Sequence, residues 1–290
     1  MKSVLRLLLI IICLTVFVNA QTKSEYGELF VIESVNASFP DSLRNEGHTY
    51  DDSLYSFEEH YNDSSIAIFV PMGFRKSEAV DLVFYFHGWN NNIRKSIEKF
   101  ELTKQFSESN KNAIFVFPEG PKNSPDSFGG KLENTGVFEK LVNEVLETLN
   151  EKELTENESL GNIILSGHSG AYRVLAYILN RGGLTENISE VYLFDAMYGR
   201  FEMYADWISN YNGRFVNIIT PNGGTYKNSV GFLDDLNNLN IESFRKDGDE
   251  IYDEELVNNR IVFLFTELGH SEVINPYFNQ LLRTSKLENK

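Results

Sequence analysis

The chain has 290 residues, a formal net charge of −16, 42% hydrophobic residues and a single cysteine. So acidic a surface repels phosphate backbones, and no basic patch interleaved with aromatics relieves it, which argues against a nucleic-acid partner. The lone Cys13 excludes a disulfide framework and a Cys-ligated zinc site.

Residues 1–20 read as a signal peptide. Lys2 and Arg6 precede an apolar run at 7–18, and Val18-Asn19-Ala20 supplies small residues for cleavage. The run is short for a bilayer span and a polar flank follows it. A retained N-terminal anchor is the competing reading. Cleavage would remove Cys13, and with it any thiolate nucleophile. The expectation is a secreted or periplasmic protein, with residues 21–290 forming one domain and no membrane span left after cleavage.

Beyond the leader, short apolar runs alternate with helical patterns. Runs at 29–35, 65–70, 81–86, 112–117, 162–166, 190–194, 215–220 and 260–265 have the length and β-branched or aromatic content of buried strands. Helical spacing of apolar residues falls at 93–106, 137–149, 172–179, 201–211 and 229–239. The segment 242–259 is polar and acidic and reads as a mobile insertion. This alternation predicts an α/β fold with a doubly wound, mostly parallel sheet and helices on both faces. Ligands then belong beyond the carboxyl ends of the strands.

The run 162–166 leads directly into Gly167-His168-Ser169-Gly170-Ala171, and a helix follows. Strand, tight turn and helix are what a nucleophile elbow needs. Small residues two positions either side of the serine relieve its strained backbone. Ser169 is the candidate nucleophile, set near a helix N-terminus that favours a developing oxyanion. His270, in the loop after the run 260–265, is the candidate base. A loop histidine bonded to backbone is the alternative.

On these segments the chain resembles the α/β-hydrolase superfamily. With His168-Ser169-Gly170-Ala171-Tyr172 and Phe194-Asp195-Ala196-Met197-Tyr198-Gly199, it is similar to a group of secreted bacterial serine hydrolases and esterases. The resemblance implies an acid after the run 215–220, but Pro221-Asn222-Gly223-Gly224 offers no carboxylate there. Some superfamily members carry the acid one strand earlier, which points to Asp195. Helix capping is the other reading of that residue, and Glu267 and Asp234 are lesser candidates. The order Ser169, Asp195, His270 is the one expected of this fold.

The oxyanion hole needs two backbone N–H groups. Gly170 would supply one, and the loop His87-Gly88-Trp89-Asn90 the other, with Trp89 favoured over Asn90. Trp89, Tyr172, Tyr198 and Trp207 are candidate pocket walls. No metal-ligand spacing or cofactor motif appears, so neither metal nor cofactor is expected. The implied function is ester hydrolysis through an acyl-enzyme, on a small-molecule or polymer-borne ester. Two other readings stay open: amide hydrolysis or acyl transfer at the same site, and a non-catalytic hydrolase-like binding protein.

Overall fold

A computed structural model describes residues 22–156 and 159–290. The expected signal peptide at 1–20 lies outside the described residues. The strands are β1 (Thr22–Ser24), β2 (Gly27–Glu33), β3 (His48–Tyr50), β4 (Ser53–Tyr55), β5 (Ser65–Pro71), β6 (Val80–Phe86), β7 (Ala113–Pro118), β8 (Leu160–His168), β9 (Ile188–Phe194), β10 (Arg214–Ile219), β11 (Phe244–Asp247) and β12 (Ile261–Phe265). The helices are α1 (Phe57–His60), α2 (Ile93–Phe100), α3 (Leu102–Glu108), α4 (Val137–Glu151), α5 (Tyr172–Arg181), α6 (Phe201–Asn210), α7 (Tyr226–Asn238), α8 (Asp253–Asn258) and α9 (Ile274–Arg283).

Strands buried on both faces are apolar at most positions, and β6 shows the consequence. Leu82, Phe84 and Phe86 enter one hydrophobic cluster, while Val83 and Tyr85 enter another on the opposite face. Apolar stripes of α4, α5, α6 and α7 close the first cluster. Those of α2, α3, α8 and α9 close the second.

The sheet order is β1-β2-β5-β7-β6-β8-β9-β10-β12-β11. From β7 to β11 all neighbours are parallel, and β5, β2 and β1 extend that sheet in antiparallel fashion. The chain runs from β6 to β7 on one side, then crosses to β8 on the other. The carboxyl ends of β6 and β8 therefore flank a topological switch point, where a crevice opens. Register sets those ends level: Phe86 pairs with Gly167, His168 with Phe194, Phe194 with Ile218, and Ile219 with Phe265.

Two local expectations are corrected. The helix expected at 93–106 breaks at Glu101, which has φ 47°, giving α2 and α3. Phe100 and Leu102 point to opposite sides of any continuous α-helix. Both are buried here, which only a reversal between them allows. The segment 242–259 is not a bare insertion: it supplies edge strand β11 and helix α8. Ile251 and Leu256 anchor it in the core, and Lys246 Nζ meets Glu255 Oε1 at 2.7 Å. Two apolar anchors suffice in an otherwise polar stretch. Among the described residues no helix is long and apolar enough to cross a membrane.

Candidate active site

Ser169 follows β8 with φ 55°, a left-handed conformation that is unusual for a residue with a side chain. The turn tolerates it because its neighbours are small. A Cβ on Gly167 would meet the Ala171 Cβ at 2.8 Å and Leu175 Cδ1 at 2.7 Å. One 3-10 turn, Ser169–Ala171, then leads into α5.

Ser169 Oγ donates to His270 Nε2 at 2.9 Å, and His270 Nδ1 donates to Asp195 Oδ2 at 2.5 Å. The three residues come from the ends of β8, β9 and β12, which the sheet register sets level. Asp195 is fully buried. Its carboxylate also accepts from Thr220 Oγ1 at 2.8 Å and from the Thr225 hydroxyl. Burial by itself would raise its pKa, but the hydrogen bonds from His270, Thr225 and Thr220 outweigh it and hold the carboxyl below its ordinary value. Gly223 passes so close that a Cβ there would meet Asp195 Oδ2 at 1.5 Å.

Thr220 and Thr225 were not singled out in the sequence. The strand ending at Ile219 lacks a carboxylate, and its following hydroxyls instead hold the carboxylate of the neighbouring strand. Glu267 and Asp234 are solvent-exposed. The Glu267 backbone N–H is bonded to Asp249 Oδ1 at 2.7 Å, and Asp234 lies on α7. The structure brings neither to His270.

His168 is a second buried group, beside His270. Its Nε2–H donates to the His270 carbonyl oxygen at 2.8 Å, and the two imidazole rings lie 4.6 Å apart. Burial foremost, and then the charge of His270, push its pKa down to about 3. His168 is therefore neutral at physiological pH, with its proton on the nitrogen that faces the carbonyl.

The loop after β6 lies against the elbow. A Cβ on Gly88 would meet the Ser169 Cβ at 2.5 Å, and one on Gly170 would meet Trp89 Cδ1 at 2.5 Å. The Asn90 N–H donates to the Ser124 carbonyl at 3.0 Å and is therefore already engaged. His87 steadies this loop from below. Its Nδ1 donates to the Gly88 carbonyl at 2.7 Å, and its Nε2 faces Glu119 Oε1 at 2.8 Å. Glu119 Oε2 in turn accepts from the N–H of Ile93, the first residue of α2, at 3.2 Å.

Ser169 opens into a cavity of about 940 Å³. Trp89, Phe100, Tyr172 and Tyr198 form aromatic walls, and Lys95 and Lys99 reach it from α2. Burial and the neighbouring Asp195 carboxylate raise the Tyr198 phenol to about 12, so it lines the cavity as a neutral group. Trp207 is corrected as a wall candidate: it is 1% exposed and belongs to the core. The β3–β4 hairpin, not anticipated from sequence, sets Tyr50 edge-on against Trp89 at the rim, with ring centroids 5.2 Å apart.

No protein-family model and no curated protein matches the chain. Solved structures do. A mutant feruloyl esterase module from Clostridium thermocellum complexed with sinapinate superposes with a TM-score of 0.56 at 12% identity, covering 90% of this chain and 88% of that one. An S-formylglutathione hydrolase from Agrobacterium tumefaciens gives 0.54 at 11% identity, covering 93% and 99%. At such identities the likeness speaks for architecture, and together with the strand order it gives this chain the α/β-hydrolase fold.

Proposed function

We propose that this chain is a secreted serine hydrolase acting on carboxylic esters. The observation that carries the reading is the continuous hydrogen-bonded line from Ser169 Oγ through His270 to the buried Asp195. The esterase and hydrolase names of the structural neighbours favour the same chemistry. Export rests on the leader pattern of residues 1–20.

In this reading Ser169 Oγ attacks the ester carbonyl carbon while His270 Nε2 takes its proton. Asp195 fixes the imidazole tautomer and stabilises the imidazolium that forms. The carbonyl oxygen becomes an oxyanion, to which the Gly170 and Trp89 N–H groups donate. Collapse breaks the bond to the alcohol oxygen, and His270 returns the proton to that leaving group. Water then attacks the acyl-enzyme, giving its proton to His270. The acid departs, and Ser169 regains its hydrogen.

The test uses the mature protein and Ser169→Ala, with 4-nitrophenyl acetate, a matched anilide and a fluorophosphonate probe. The expected result is ester turnover and probe labelling in the wild type, and neither in the variant. Absence of both from the wild type would overturn the enzyme reading in favour of a binding protein. Anilide turnover matching that of the ester would move the assignment to an amidase.

A further inference from the structure

The cavity beside Ser169 has a charged wall as well as aromatic ones. Helix α2 begins Ile93-Arg94-Lys95-Ser96-Ile97-Glu98-Lys99-Phe100, three cations against one carboxylate in a chain of net charge −16. Arg94 and Glu98 meet each other at 3.7 Å. Lys95, Glu98 and Lys99 all line the cavity and are solvent-exposed, so its charged wall carries two lysines against one carboxylate. Among the described residues neither has a carboxylate within ion-pair distance. Lys95 Nζ donates to the Asn123 side-chain oxygen at 2.6 Å, and Lys99 Nζ lies 5.1 Å from the Phe100 ring centroid.

A helix face that only needed solvation would gain from pairing these lysines with the abundant acidic residues. Here the one carboxylate on the wall, Glu98, pairs with Arg94 instead, and neither lysine of the wall has a carboxylate partner among the described residues. Around a strongly acidic molecule the general field repels anions, so a local cationic wall is what would draw one to this mouth.

We infer that Lys95 and Lys99 receive a carboxylate carried by the substrate, so that the site, read as an esterase, prefers anionic esters to neutral ones. This inference rests on the proposed function for its reaction but not for its binding step.

Two readouts separate the two claims. The first compares kcat/KM for 4-nitrophenyl hydrogen glutarate and for 4-nitrophenyl valerate, of equal chain length, after subtracting uncatalysed hydrolysis. The expected result is a preference for the glutarate that shrinks with added salt. In Lys95→Gln/Lys99→Gln the preference should fall about three- to tenfold, as two solvent-facing ion pairs imply. The second readout needs no turnover: Ser169→Ala is titrated with succinanilic acid and with neutral butyranilide, followed by Trp89 fluorescence. The anionic ligand should bind more tightly, and the double lysine change should abolish the difference.

Equal turnover of both esters together with equal binding of both anilides overturns the inference and leaves the esterase reading intact. Absence of turnover and labelling, with the anionic preference persisting in the titration, sinks the esterase reading and supports the cationic wall.

Discussion

Asp195 gathers an imidazole and two threonine hydroxyls on one buried carboxylate. An asparagine there keeps the shape but cannot accept on both sides, so in the proposed mechanism His270 loses the partner that fixes its tautomer. Asp195→Asn is expected to lower kcat by about four orders of magnitude with little change in KM. Glu267→Gln and Asp234→Asn should leave kcat essentially unchanged, and the opposite pattern would place the acid elsewhere. In the proposed mechanism His168 acts as a positioning residue, since it holds the His270 main chain through one hydrogen bond. His168→Leu leaves that carbonyl without its donor, which corresponds to a kcat loss of about tenfold. His168→Gln retains a donor and should recover part of it. Equal losses in both variants at unchanged Tm would refute the positioning role. The elbow itself was legible because Gly167, Ser169 and Ala171 are neighbours in sequence. Thr220 and Thr225 were not, because nothing local marks a hydroxyl as the partner of a carboxylate on another strand.

At the other end of β9 and β10 a buried ion pair ties elements together. Arg214 Nε meets Glu190 Oε2 at 2.5 Å, and its Nη atoms donate to the carbonyls of Leu256, Leu281 and Thr284. The Lys286 N–H donates to Glu190 Oε1 at 2.8 Å. Helices α8 and α9 are thus fastened to the sheet by polar contacts as well as apolar ones. Arg214→Met strands the Glu190 charge in the core and should cost about 3–5 kcal/mol in urea unfolding. Arg214→Met/Glu190→Gln removes both charges and should cost less than the single change; a larger cost would count against this account. The strands were legible from their apolar runs. The break at Glu101 and the anchoring of α8 were not, since both answer to the sheet face that they cover.

For the whole molecule, the buried neutral His168 links folding to pH. Its ordinary pKa of 6.5 falls to about 3 in the fold. Between those values the unfolded chain binds a proton that the folded chain does not, so stability rises with pH across that window and is lost as pH falls. Asp195, held below its ordinary 3.8, acts in the same direction at lower pH, since its contribution is lost as pH drops through its folded value. Tm measured from pH 7 to 4 should therefore fall more steeply in wild type than in His168→Leu, the other carboxylates contributing alike to both. Parallel curves would mean that His168 takes up its proton without unfolding.

Strand, turn and helix at Ser169, the Gly88–Trp89 loop after a buried run, and His270 after the last one follow from residues adjacent in the chain. The sequence by itself therefore determined the fold class and the rim on which chemistry can sit. Which carboxylate reaches His270, that Lys95 and Lys99 face the cavity, and that Trp207 belongs to the core were decided only by tertiary structure. Those outcomes depend on sheet register and on the faces that helices present, and these bring together residues dozens of positions apart.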